Sequence, residues 1–136
     1  MNSLKPIEHI DEIVRDSFGL WITGLFSAIS AWNPILSFQE HKEVFFCLIE
    51  QLLQAGKIKF IAPGVDCYVS PENPHPRLTI QDEEAQWHET PAAIVAYLRA
   101  QWPEHARDEN DSDLVTYFYS IPGIIWVRED GTLVAS

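Results

Sequence analysis

Apolar residues recur along this chain at two periods, and the points where the period changes divide it into helical and extended stretches. Ile7, Ile10, Ile13, Val14 and Phe18 stand at helical spacing, with Glu8, Asp11, Glu12, Arg15 and Asp16 on the other side. This predicts an amphipathic helix from Pro6 to Phe18, with Pro6 suited to a first helical position. Trp21, Leu25, Phe26, Ile29 and Trp32 continue in step and predict a more buried helix over Leu20 to Trp32, ending before Asn33-Pro34. The third pattern is the strongest. Ser37 precedes Glu40 by three residues, the spacing at which hydroxyl and carboxylate cap each other's backbone N–H. Phe38, Phe45, Leu48, Ile49, Leu52 and Leu53 then form a wide apolar stripe, and Gly56 supplies a left-handed stop, so a helix is expected over Phe38 to Ala55.

The period then falls to two. Lys57-Ile58-Lys59-Phe60-Ile61 alternates polar and apolar up to Pro63-Gly64, as a half-buried strand does. Pro71, Pro74 and Pro76 rule out a central strand from Val65 to Ile80 and leave short edge pieces or loop near Cys67 to Val69 and Leu78 to Ile80. Thr90-Pro91 caps and opens another helix, carried by Ala93, Ile94, Tyr97 and Leu98 to Gln101, with Trp102 and Pro103 closing it. Glu104 to Asp113 is too polar to pack and reads as loop, followed by a short helical turn over Leu114 to Tyr119. Ile124 to Arg128 and Thr132 to Ala135 flank Glu129-Asp130-Gly131, a hairpin whose Asp-Gly favours a tight primed turn. Trp126 should face one side of it, and Ile125 and Val127 the other. The sum is an α+β fold: N-terminal helices packed with a small, mostly antiparallel sheet, a further helix and a C-terminal hairpin. A chain of 136 residues, 46% hydrophobic, is sized for one domain spanning 1–136.

Charge narrows the functional classes. The formal net charge of −11 repels phosphate backbones and argues against nucleic-acid binding. The charge is also uneven. Residues 1–60 hold 5 basic and 7 acidic side chains, whereas residues 61–136 hold 4 and 13. Nine acids lie between Asp82 and Asp113 against Arg99 and Arg107 alone. Acids so placed either keep a surface solvated or form a docking face for a basic protein. The docking reading selects Asp82, Glu83, Glu84, Glu89, Asp108, Glu109, Asp111 and Asp113, with Tyr117 and Tyr119 as aromatic anchors beside them.

Cys47 and Cys67 lack the dense, even spacing of a disulfide scaffold and read as free thiols. Met1 to Pro6 leads straight into a charged helical pattern rather than a secretory signal, so a cytoplasmic protein is expected. The apolar stretch Phe18 to Leu36 is interrupted by Gly19, Gly24, Asn33 and Pro34, which places it in a core rather than a membrane. Among His9, His41, His75, His88 and His105, no two share the spacing of helix-borne metal ligands, and His41 is expected at the surface in its helix's first turn. Asp108, Asn110 and Ser112 fit the first positions of a calcium loop, but Asp113 stands where that loop needs Gly and Tyr119 where it needs Glu. No phosphate-cradling Gly loop or nucleophile elbow occurs, and no cofactor is indicated.

The run Leu52-Leu53-Gln54-Ala55-Gly56-Lys57-Ile58-Lys59-Phe60 and the ending Ile121-Pro122-Gly123-Ile124-Ile125-Trp126-Val127-Arg128-Glu129-Asp130-Gly131 resemble a small bacterial family, domain of unknown function 596. Trp102-Pro103 fits between them, while Pro71 to Pro76 departs from the family's pattern. The resemblance implies α+β architecture, no catalytic residues to carry over, and relatives among bacterial toxin and immunity loci. The leading expectation is therefore a non-catalytic binder of a basic partner, of immunity or inhibitor type, acting as monomer or homodimer. Two alternatives remain: a small hydrolase using His88 or His105 with nearby carboxylates, and a module that self-associates through its aromatic surface.

Overall fold

The structure is a computed structural model that describes residues 9–135; the predicted helix start at Pro6 and Ile7 lies outside them. Five α-helices and three strands follow in the order α1 (Ile10–Ser17), α2 (Ile22–Trp32), α3 (Phe38–Gln54), β1 (Ile58–Phe60), α4 (Pro91–Ala100), α5 (Ser112–Ser120), β2 (Ile124–Val127) and β3 (Leu133–Ala135). This is an α+β fold. The sheet is antiparallel throughout with β2 in the middle, Ile58 opposite Trp126 and Trp126 opposite Val134.

The caps explain where α3 begins and ends. Ser37 Oγ accepts from Glu40 N at 3.1 Å while Ser37 N donates to Glu40 Oε1 at 2.9 Å, a complete capping box. At the other end Lys57 N reaches Leu52 O at 2.9 Å and Gly56 N reaches Leu53 O at 3.1 Å, which requires the left-handed Gly56 (φ +72°). The chain then enters β1 directly.

Two helix starts and one turn differ from the sequence reading. The helix expected from Leu20 begins at Ile22. The helical turn expected at Leu114 begins at Ser112, because Asp111 Oδ1 accepts from Asp113 N and caps the first turn. Around Cys67 to Val69 and Leu78 to Ile80, where edge pieces or loop were expected, the chain is loop, and a 3₁₀ turn at Glu83–Ala85 then leads to Gln86, which bridges to Ile61. Trp87 N donates to Phe60 O and Ala62 N to Ala85 O, so this segment covers the outer edge of β1. The hairpin turn is not of the primed kind: only Gly131 has positive φ (+88°), and Gly131 N bonds Arg128 O, as in a longer turn with a glycine bulge.

The core lies between the helices and one face of the sheet. Trp126 is fully buried there, its indole N–H donating to Leu20 O at 2.9 Å, with Phe60 and Ile124 on the same face. Ile125 and Lys59 point to the other face, and Ile125 too is fully buried. Phe26 is the centre of an aromatic cluster, 5.1 Å from Phe45, 5.2 Å from Phe118 and 5.8 Å from Trp102 between ring centroids. It joins α2, α3, α5 and the end of α4 in one packing unit.

Two core and cap substitutions test this account by urea unfolding. Ser37→Ala should lose about 1 kcal/mol, the usual worth of an N-cap. Phe45→Ala, which empties the fully buried centre, should lose about 3–5 kcal/mol.

Candidate interaction site

The acids selected from the sequence do not form one continuous face. Asp82, Glu83, Glu84 and Glu89 are exposed on the segment that covers β1. Asp82 Oδ2 accepts from Thr79 N at 2.7 Å, folding the turn that precedes Glu83. Glu89 and His88 border a shallow cleft with Leu53 and Gly56, at the C-terminal end of α3. Asp108, Glu109, Asp111 and Asp113 lie beyond the other end of α4, where Asp108 Oδ1 accepts from Asn110 N at 2.8 Å and Asp111 caps α5. Asp108 and Asp111 bond backbone N–H groups two residues on, so the run that mimics a calcium loop is a pair of side-chain turns. Among the described residues, no group of three or more His, Cys, Asp or Glu is placed to hold a metal ion.

Glu109 fixes the position of the second cluster. Its Oε1 accepts from Ser30 Oγ of α2 at 2.8 Å and lies 3.5 Å from His41 Nδ1 of α3. His41, expected at the surface, is buried. Its ring stacks on Phe26 at 3.7 Å and Nε2 contacts Phe26 O at 2.5 Å, so in the neutral ring Nε2 carries the proton and Nδ1 faces the carboxylate. The signal was in the pattern. His41 stands three residues after Phe38 and four before Phe45, on the apolar stripe itself. Burial lowers the His41 pKa, and the bond to Phe26 O and the Glu109 charge only partly oppose it. Because His41 touches the first turn of α3 and Leu53 its last, the two acidic clusters are separated by roughly 18 Å along that helix.

The aromatic anchors part company as well. Tyr119 is 72% exposed. Tyr117 is buried, donating its hydroxyl to Leu98 O at 2.7 Å, and burial raises its pKa; it belongs to the core and offers a partner no surface. The sequence missed its companions: Tyr97, partly exposed, and Trp21, whose ring meets Tyr119 on one hand and Tyr68 on the other. Helical spacing alone does not show that Tyr68, from the Pro-rich loop, arrives beside Trp21.

The two histidines of the hydrolase reading lie apart. His88 precedes α4 and its Nε2 contacts the Glu83 backbone carbonyl at 2.7 Å, not a carboxylate. His105 is exposed in the turn after α4. Neither His88 nor His105 forms an ion-pair contact with a carboxylate among the described residues. Cys47 and Cys67 are free thiols, and burial, then Asp66 and Asp82, raise the Cys67 pKa. No helix among the described residues is long and apolar enough to cross a membrane.

The architecture is shared with a solved structure described as an uncharacterised protein conserved in bacteria, from Neisseria meningitidis. It is 21% identical, with a TM-score of 0.63, and the alignment covers 93% of this chain and 85% of that one. At that identity the likeness is one of fold. No family model and no curated protein matches the chain.

The buried histidine gives a signed pH dependence. With its folded pKa below the unfolded value of about 6.5, the unfolded chain binds more protons, so this part of stability is complete above about pH 6.5 and declines as pH falls. His41→Gln should thus lose less stability than the parent between about pH 7.5 and about pH 5.5. In Glu109→Gln, an NMR titration should find the His41 pKa lower still.

Proposed function

We propose that this chain is a non-catalytic protein-binding module with a basic protein as its partner, and that it belongs to the family of unknown function 596 that its helix end and hairpin resemble. The observation that carries this reading is the state of its acids. Of the nine between Asp82 and Asp113, Glu109 alone forms an ion-pair contact among the described residues, and its neighbour is the buried His41. Arg99, inside that stretch of sequence, pairs instead with Glu43 of α3 at 2.8 Å. The remaining carboxylates therefore keep their field directed outward, where it steers a cationic partner. His88 meets the Glu83 backbone carbonyl rather than a carboxylate, which supports binding over hydrolysis. Within the class, the toxin and immunity setting of the resembling family favours an inhibitor of a basic effector, acting in the cytoplasm.

Affinity capture at about 50 mM salt followed by Kd measurement tests this. The expected partner is cationic at neutral pH, and its binding should weaken at least tenfold by about 300 mM salt. The triple variant Asp82→Asn, Glu83→Gln, Glu84→Gln should slow association while leaving unfolding unchanged. A captured partner without net positive charge, or one indifferent to salt, would sink the proposal.

A further inference from the structure

The three-stranded sheet has one covered edge and one open edge. On the β1 side, the backbone of Ala85 to Trp87 bonds Phe60 and Ala62 and closes the ladder. On the other side β3 pairs with β2 alone. The alternation of an antiparallel ladder shows which groups this leaves over. Val127 N donates to Lys57 O and Ile61 N to Gly123 O, so Gly123, Ile125 and Val127 turn their backbone groups toward β1. Arg128 N donates to Thr132 O, so Arg128 and Trp126 turn theirs toward β3, where Trp126 stands opposite Val134. It follows that Leu133 and Ala135 each direct an N–H and a C=O away from the sheet. Folded proteins blunt such edges with charge, proline or a covering segment, and Leu133-Val134-Ala135 carries no charge or proline and has no covering strand among the described residues.

Charge limits what can approach this edge. At −11, a second copy of the chain is repelled wherever acids face each other. Around the hairpin the signs balance: the cleft of about 910 Å³ between its turn and α1 is lined by Lys57 and Arg128 and by Glu129 and Asp130. The first acidic cluster lies on the segment that covers β1, at the opposite edge of the sheet. The second is tied through Glu109 to His41 in the first turn of α3, whereas the hairpin turn shares its cleft with Ala55 and Gly56 at the other end of that helix.

We infer that β3 is a self-pairing edge, through which two copies of this chain form a reversible dimer, antiparallel about a two-fold axis at Val134. In that register Leu133 of one copy faces Ala135 of the other. Each strand contributes its two outward N–H groups, so four backbone hydrogen bonds form and every outward carbonyl accepts one. The contact is isologous and closes at two copies instead of growing into a filament. The sheet becomes six-stranded with a β1 at each end, about 24 Å apart at roughly 4.8 Å per strand, more than twice the screening length of ~10 Å. The Asp82 to Glu89 segments lie beyond those ends and repel each other little. An edge of three residues buries little area, so the dimer is weak, with a Kd between about 10 µM and about 1 mM.

Sedimentation velocity of the full chain across that range should show a dimer that grows with concentration. Over the same range, hydrogen exchange followed by NMR should slow at the Leu133 and Ala135 amides and stay constant at residues 82–89. Ala135→Pro removes one outward donor from each strand, hence two of the four bonds, while Val134 keeps its place opposite Trp126. It should weaken the dimer at least about tenfold, with the urea midpoint of the dilute chain unmoved. A monomer up to about 1 mM would overturn the inference, as would a dimer that Ala135→Pro leaves intact. If that variant does not fold, exchange in the parent is decisive, and amides of Leu133 and Ala135 that stay unprotected overturn self-pairing. Protection that appears only on adding a captured basic partner also overturns it, and assigns the edge to strand addition by that partner.

Discussion

Phe26 is the contact on which the rest of this structure depends. One ring from α2 lies against Phe45 of α3, Phe118 of α5, Trp102 beyond α4 and the imidazole of His41. Few residues stand at the meeting point of so many elements, and aromatic rings suit that place because edge and face contacts add to the area they bury. The functional surface is a consequence. Trp102 ends α4 and so fixes where the acidic loop departs, Phe118 orients α5 and thereby exposes Tyr119, and His41 receives Glu109 from that loop.

Most of the fold was legible because it is written in local rules. The Ser37–Glu40 box, Gly56 and Thr90-Pro91 each have one physical meaning, and the structure uses each accordingly. The strand before Pro63 follows from period-two alternation, and the C-terminal hairpin from its Asp130-Gly131 turn between two apolar runs. What the sequence did not disclose depends on distance in space. The covering of β1 by Gln86 joins residues 25 positions apart (86 minus 61) through backbone groups that carry no side-chain signature. The hairpin turn shows a subtler limit: Asp130-Gly131 is compatible with more than one turn, and the ladder register between Val127 and Leu133 chose the longer.

The candidate site was legible by composition and misplaced in geometry. Charge counting found the acids, yet it joined into one face two clusters that α3 and α4 hold apart. Tyr117 and Tyr119 looked equivalent in sequence, but a two-residue step on a helix turns a side chain by about 200°, so one ring enters the core while the other leaves it. His41 was misjudged because its residue type outweighed its position. A polar residue on an apolar stripe is evidence of a satisfied buried group, and here a carbonyl and a carboxylate supply the partners.

The Pro-rich loop begins and ends at neighbouring points, since Ala62 N bonds Ala85 O at 2.7 Å. A segment whose ends are already tied adds little closure entropy when it lengthens, only about 0.6 kcal/mol for each doubling. Its outer part, near the exposed Pro74 and His75, is thus the place where the chain can drift, gain residues or accept a grafted reporter during evolution or engineering. Such an appendage leaves the ladder beneath it intact.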